Sequence, residues 1–317
     1  MMIYFIAAIA GIAGFLFGFD EGVIAGALHL LRGEFTINPF DEGLMTAAVP
    51  LGALGGALLA GRTTETYGRR ALLLVAGVLF AAGALLSAAA GAVWILTASR
   101  LLLGLAVGIA AMVAPLYISE SAPAEKRGML VSIYQLAITL GILGAYLVGF
   151  AFSESWRLMF VMGVLPALAL LVGMYRMGDT PRWLALQGRT EEARLAIARI
   201  RELAPHDPAV DAELASIRQA AQQRTRPGTW ADLLSPTVRP ALVVGMGLFF
   251  LQQLSGINAV IYYAPTVFKE AGFNSTSTQI LATVGIGVVN VGMTFVGMYL
   301  IDRIGRVLNG WQLPLLF

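Results

Sequence analysis

Eight stretches of nearly unbroken apolar residues, separated by polar segments, organise this chain, at about 3–31, 43–60, 71–92, 94–118, 129–152, 158–175, 241–265 and 279–301. About 20 apolar residues suffice to carry a helix across the hydrocarbon of a bilayer, so each stretch predicts one membrane-spanning helix. The first has no basic segment before it and no small-residue cleavage site after it, which reads as a retained helix and not a removable leader. The one long polar segment, about 176–239, predicts an insert with two short amphipathic helices. One would start at Thr190, an N-cap residue followed by Glu191 and Glu192 in the first turn, and the other would run from Pro208 to Gln223. Such an insert reads as a spacer docked beneath the bundle, with contact to anionic lipid as the alternative.

Composition agrees with lipid as the solvent. The 317 residues are 58% hydrophobic and 13% charged, and mean hydropathy is +0.77. A soluble chain carries about a quarter charged residues. With no cysteine and only His29 and His206, thiol chemistry and imidazole metal clusters drop out. No metal and no cofactor is expected. A net charge of +2 is small for a nucleic-acid binder, and no nucleic-acid partner is expected.

The positions of the basic residues set the expected orientation. With a cytoplasmic N-terminus, the loops after spans 2, 4 and 6 and the C-terminal tail hold 3, 2, 10 and 2 of them. The opposite side holds Arg32, Arg157 and Lys269, and Arg100 lies within a span. The N-terminus is therefore expected inside.

An internal repeat is also visible. Glu65-Thr-Tyr-Gly68-Arg69-Arg70 after span 2 resembles Asp302-Arg-Ile-Gly305-Arg306 after span 8, 237 positions on. Each has an acid, two residues, then Gly-Arg. Spans 1 and 7 begin at the same offset, as in transporters built from a six-helix unit used twice in parallel. Glycine permits a tight reversal there, and the acids and arginines form a candidate cytoplasmic charge latch, with simple topology-setting charges as the alternative.

Ionisable groups inside the membrane are functional candidates because their desolvation is costly. Asp20 lies 17 residues beyond Ile3, about 26 Å along the first helix. Arg100, six residues into the descending fourth helix, sits about 9 Å below the outer end, at similar depth. The two are expected to pair. An arginine neighbour favours the ionised carboxylate, and motion that separates them favours uptake of a proton, as proton coupling requires. A static ion pair is the alternative, with Glu21 as the outer, wetter acid.

Uncharged hydrogen-bonders cluster near mid-membrane: Gln135, Gln252, Gln253, Asn258 and Asn290. Amides donate and accept without charge, which suits a neutral polyhydroxylated solute, and Phe17, Tyr262 and Tyr263 offer aromatic faces for a sugar ring. Gln253 and Tyr262 would point about 180° apart on a straight helix, so Ser255-Gly256 predicts a break between them. Interhelical amide contacts are the alternative. Gly52/Gly56 and Gly104/Gly108 have the spacing that lets helices pack closely, and no phosphate-binding GxxxxGK[ST] occurs.

With these residues in view, the chain resembles the sugar porter family of the major facilitator superfamily over nearly everything up to Arg306. The resemblance rests on Gly18-Phe-Asp20-Glu-Gly-Val-Ile, on GRTTETYGRR at 61–70 and on Arg100-Leu-Leu-Leu-Gly104. It continues through Pro115-Leu-Tyr-Ile-Ser-Glu120-Ser-Ala-Pro123-Ala-Glu-Lys-Arg127-Gly128, Asp179-Thr-Pro181-Arg182-Trp-Leu and Gln252-Gln-Leu-Ser-Gly-Ile-Asn258-Ala-Val-Ile-Tyr-Tyr. It implies an all-α membrane protein of the major facilitator fold, with a complete N-terminal six-helix bundle plus the first two helices of a C-terminal one. The expected divisions are 1–176 for the first bundle, 177–239 for the insert, 240–306 for the start of the second bundle and a divergent tail at 307–317.

The resemblance further implies an alternating-access carrier and not an enzyme. Gln135, Gln252, Gln253, Asn258 and Asn290 look like sugar ligands, with Phe17 and Tyr262 lining the site. Asp20 with Arg100 suggests sugar:proton symport, since facilitative members carry Asn at the aspartate position. Glu65, Arg69, Arg70, Glu120, Arg127, Asp179, Arg182, Asp302, Arg303 and Arg306 look like the cytoplasmic charge network. Glu65 and Asp179 exchange the family's usual acids, Val307 interrupts the second Gly-Arg-Arg, and helices 9–12 are not in the sequence. The expected partners are a monosaccharide (hexose, pentose or polyol), a proton and the lipid bilayer of a bacterial inner membrane. A facilitative uniporter and a non-transporting fragment or sugar sensor are the competing readings.

Overall fold

The computed structural model describes residues 2–123, 126–222, 234–273 and 275–310, with 221–222 and 301–310 described by backbone alone. Among the described residues there are helices and no strands. Six spans come first: α1 (Met2–Glu34), α2 (Pro39–Tyr67), α3 (Arg69–Ala88), α4 (Val93–Ser121), α5 (Arg127–Ala151), and a sixth divided at Gly163 into α6 (Trp156–Met162) and α7 (Val164–Arg176). The insert follows as α8 (Pro181–Leu186), α9 (Thr190–Arg201) and α10 (Pro208–Gln222). The seventh span comprises α11 (Arg239–Leu254) and α12 (Ile257–Glu270), and α13 (Thr276–Gly310) is the eighth.

Each of the eight expected stretches coincides with a helix long and apolar enough to cross a membrane, although α3 ends at Ala88, four residues short of the expected end of its stretch. Apart from α3, the helices are longer than those stretches because an apolar run marks only the part opposite hydrocarbon, while the helix continues until its backbone is capped. At the start of α2, Asn38 Oδ1 accepts from the Asp41 amide at 2.8 Å, Pro39 follows the cap, and Asp41 and Glu42 occupy the first turn.

Helix α1 is central. Its middle is apolar on nearly all sides and largely enclosed, and it packs on α4, α5, α7 and α12. Its contact with α5 is close enough that a Cβ on Gly18 would stand 1.8 Å from the Ile138 carbonyl oxygen. The two expected small-residue pairs meet each other between α2 and α4: a Cβ on Gly52 would stand 2.2 Å from the Leu101 carbonyl oxygen, and one on Gly108 2.0 Å from that of Ala53. Helix α13 packs on α5 and α12, while α11 buries none of its residues.

The insert folds around its own apolar cluster, chiefly Trp183, Leu184, Ile197, Val210 and Leu214. It is tied to the bundle, because Trp183 Nε1 donates to the Glu65 carbonyl at 2.8 Å and Arg201 Nη1 donates to that of Ser121 at 3.3 Å. The expected cap of α9 is shifted by one residue. Arg189 is the N-cap, with no side-chain bond that caps a backbone amide of the helix, and Thr190 is already helical. Arg189 instead grips Glu192 with two hydrogen bonds of 2.7 and 2.6 Å, which holds the acidic first turn in place.

Candidate functional site

Asp20 on α1 and Arg100 on α4 meet inside the bundle, with Arg100 Nη1 3.7 Å from Asp20 Oδ1 and side-chain exposures of 0% and 1%. That separation gives charge attraction without a hydrogen bond. The guanidinium is held from the other side, where Nε donates to the Met45 carbonyl of α2 at 3.0 Å. Both Asp20 oxygens and both terminal Arg100 nitrogens are buried without a hydrogen-bond partner. A desolvated pair of this kind is costly unless its remaining donors and acceptors are filled, so small movements of α1 against α4 have large energetic consequences. Glu21 departs from expectation. It is 7% exposed and buried, because α1 is enclosed at this level by the helices packed around it.

The seventh span breaks where expected. α11 ends at Leu254, Gly256 adopts φ +73°, and α12 starts at Ile257. Only glycine takes this left-handed backbone at little cost. The break folds two amides onto each other, and Asn258 Nδ2 donates to Gln253 Oε1 at 3.1 Å. Tyr262 is buried at 8% on α12, which packs on α1. Phe17 and Asn290 are half-buried, whereas Gln135, Gln252 and Gln253 are exposed. Most of the elements that carry this set are mutual neighbours, since α1 packs on α5 and α12 and α13 packs on both, while α11, which carries Gln252 and Gln253, packs on α12. Among the described residues, the side-chain amides of Gln135, Gln252 and Asn290 make no hydrogen bond to one another. A concavity of about 560 Å³ lies elsewhere, between α2 and α4, lined by Asp41, Leu51, Trp94 and Leu101 among others, and holds none of these residues.

The charge network is built around Glu120. Its carboxylate accepts from Arg69 Nε at 2.9 Å, from Arg69 Nη2 at 2.8 Å and from Thr180 Oγ1 at 2.6 Å. Arg69 also donates through Nη1 to the Thr64 carbonyl at 2.9 Å. Asp179, between α7 and α8, docks its carboxylate against the α2–α3 turn, where its Oδ1 accepts from the Arg70 amide at 2.9 Å. Arg70 in turn donates to the carbonyls of Met174 and Tyr175 at 3.0 and 2.8 Å. Gly68 has φ +90°, and a Cβ there would be 2.6 Å from Asp179 Oδ1, so the reversal and the carboxylate require a residue without a side chain. Burial pushes the Asp179 carboxyl above its ordinary range, with the Arg70 amide and charge opposing.

Three expected members of this network stand apart from it. Glu65, Arg127 and Arg182 are exposed, and their charged groups make no ion pair among the described residues. Glu65 contributes through its backbone, whose carbonyl accepts from Trp183 Nε1 at 2.8 Å and from Gln187 Nε2 at 3.0 Å. The side chains of Asp302, Arg303 and Arg306 lie outside the described residues. The second Gly-Arg turn is not a turn: α13 continues through Gly305 to Gly310. Glycine permits a reversal without imposing one, and at Gly68 the docked Asp179 carboxylate holds it.

Other polar residues had weaker sequence signals. Thr180 caps α8 through its accepting Oγ1 while donating to Glu120, a Thr-Pro pair legible as a cap but not as a latch. At the other end of the bundle, Glu34 Oε2 accepts from Trp156 Nε1 at 2.6 Å and from Arg157 Nη1 at 2.9 Å, tying α1 to α6. Tyr146, an apparently ordinary core aromatic, reaches the backbone of α12.

This arrangement matches known proteins over almost the whole chain. The family model described as "Sugar (and other) transporter" matches residues 6–308. The chain belongs to this family. The galactose-proton symporter of Escherichia coli strain K12 is 41% identical over 308 residues, covering 96% of this chain and 65% of that relative. The D-xylose transporter of Levilactobacillus brevis is 38% identical over 308 residues, with the same two shares. The chain thus spans about 65% of the length of these curated relatives. Among solved structures, the partially occluded inward-open xylose transporter XylE from E. coli aligns with a TM-score of 0.82 at 29% identity, covering 96% of this chain and 74% of that one. XylE, described as a major facilitator proton:xylose symporter and bound to 6-bromo-6-deoxy-D-glucose, aligns with the same TM-score at 31% identity, covering 95% and 69%. The fold is therefore that of the major facilitator superfamily, in a multi-pass membrane protein.

Proposed function

We propose that this chain carries a monosaccharide across a bacterial inner membrane by alternating access, coupled to a proton, with its N-terminus in the cytoplasm. In this reading residues 1–176 form the first bundle, 177–239 the cytoplasmic insert, and 240–306 the first two helices of the second bundle. The observation that carries it is the Asp20–Arg100 pair, buried, 3.7 Å apart and without hydrogen bonds at the facing oxygens and nitrogens. Helix α1 also packs on α12, the half of the broken seventh span that carries Asn258, whose amide is bonded to Gln253 across the break.

The roles follow from chemistry. Asp20 takes the proton when sugar binding or helix movement weakens its tie to Arg100. Gln135, Gln252, Gln253, Asn258 and Asn290 bind sugar hydroxyls as neutral donors and acceptors, while Phe17 and Tyr262 cover the carbon face of the ring. Arg69, Arg70, Glu120 and Asp179 latch the cytoplasmic end, with Glu65, Arg127, Arg182, Asp302, Arg303 and Arg306 as further charges on that face. The relatives named for galactose and xylose support a hexose or pentose as the solute.

The test uses purified protein in proteoliposomes, with counterflow of labelled galactose, xylose and glucose measured beside proton uptake on sugar addition. Exchange with proton uptake supports the proposal. Exchange without proton uptake would mean uniport, and absence of exchange for every sugar tried would remove the carrier role.

A further inference from the structure

Pro265 lies inside α12 and has no amide hydrogen. In an α-helix that hydrogen would have gone to the carbonyl four residues earlier, which is Ile261. Ile261 is buried at 4% exposure, so its oxygen has no access to water, and lipid offers no donor. The missing partner comes from another helix. Tyr146 on α5 donates its phenolic hydrogen to the Ile261 carbonyl at 3.1 Å, in a buried contact.

The same side chain meets the eighth span. A Cβ on Gly287 of α13 would stand 3.0 Å from Tyr146 Cδ2, so the ring occupies the space that this glycine leaves open. Tyr146 is itself 3% exposed. It therefore touches both helices that follow α11, engaging α12 through its hydroxyl and α13 through its ring. The segment it grips is weak on both sides, since Gly256 breaks the seventh span before Ile261 and Pro265 interrupts its hydrogen-bond ladder after it.

We infer that Tyr146 is a positioning residue whose hydroxyl completes the backbone ladder interrupted by Pro265 and so fixes α12, with Tyr262 beside Ile261, at one height and angle on α5. A tyrosine buried only for its bulk would be replaced by phenylalanine without effect. A tyrosine that stands in for a missing amide would not be, unless the amide were restored. That reciprocity gives the test, and none of its readouts depends on sugar binding or transport.

The chain has no cysteine, so a nitroxide pair is introduced at Leu140 of α5 and Val267 of α12, which are 41% and 57% exposed. Distance distributions are measured in lipid nanodiscs by pulsed electron resonance, together with the thermal midpoint. Tyr146→Phe is expected to broaden the distribution and lower the midpoint by several degrees. Pro265→Ala alone should leave the distribution narrow, and Tyr146→Phe combined with Pro265→Ala should narrow it again, because residue 265 now supplies the amide. An unchanged distribution in Tyr146→Phe overturns the inference. So does a broadened one that Pro265→Ala fails to narrow, since the hydroxyl would then be acting at something other than the missing amide.

Discussion

Replacing Glu120 by alanine removes the acceptor at the centre of the charge network. Arg69, whose side chain is 7% exposed beside a Glu120 side chain at 3%, then keeps its hydrogen bond to Thr64 but loses both bonds to the carboxylate. Thr180 loses its acceptor as well. An uncompensated buried guanidinium costs about 3–5 kcal/mol. At roughly 2 °C per kcal/mol for a chain of this size, the thermal midpoint should fall by roughly 6–10 °C. The assay is thermal unfolding in detergent, followed by tryptophan emission and by loss of the monodisperse fraction. The decisive comparison is Arg69→Met with Glu120→Leu, which removes both charges and keeps the volume filled. It should recover most of the loss, because replacing a whole buried pair is often neutral while breaking one is not. A Glu120→Ala midpoint within about 2 °C of the parent, or a double variant as unstable as the single, would refute the reasoning from buried charge.

Two further predictions follow from packing and titration. Gly108→Val places a branched side chain where even a Cβ would stand 2.0 Å from the Ala53 carbonyl, so α2 and α4 cannot keep their spacing, and the variant should lose monodispersity in detergent while Gly91→Val, which meets nothing within 4 Å, should not. Asp179 is an acid raised by burial, so its ionised form opposes folding at neutral pH; the stability it withholds returns as pH falls through its folded value and is complete below the ordinary carboxylate range. Thermal midpoints at pH 7.5 and pH 5 should therefore show the parent gaining on Asp179→Asn upon acidification, and an identical pH response of the two would contradict the assignment.

What could be read from the chain itself divides along physical lines. The eight spans were legible because lipid imposes a length and a hydropathy on each. The Asp20–Arg100 contact was legible because rise per residue fixes depth, and two opposite charges at one depth have few other partners. The break at Gly256 followed from angular arithmetic between Gln253 and Tyr262. Properties that depend on which helix covers which face were not legible. Glu21 sits on the enclosed α1, and no local pattern distinguishes it from an acid in water. Gly68 and Gly305 share a motif, but only Gly68 has an Asp179 docked against it. Glu65 ties the insert to the bundle through its carbonyl, which every residue has, and Tyr146 bonds to a partner 115 positions away.

The central claim is that the buried Asp20–Arg100 pair couples sugar movement to a proton, and Asp20→Asn tests it most directly. In proteoliposomes made from the parent chain, adding a transported sugar should draw protons inward and alkalinise the outer medium, alongside counterflow of labelled sugar. Asp20→Asn should keep the counterflow and lose the alkalinisation, because the amide can still occupy the space beside Arg100 but cannot take up and release the proton. Alkalinisation and counterflow both at parental levels in Asp20→Asn would contradict the account.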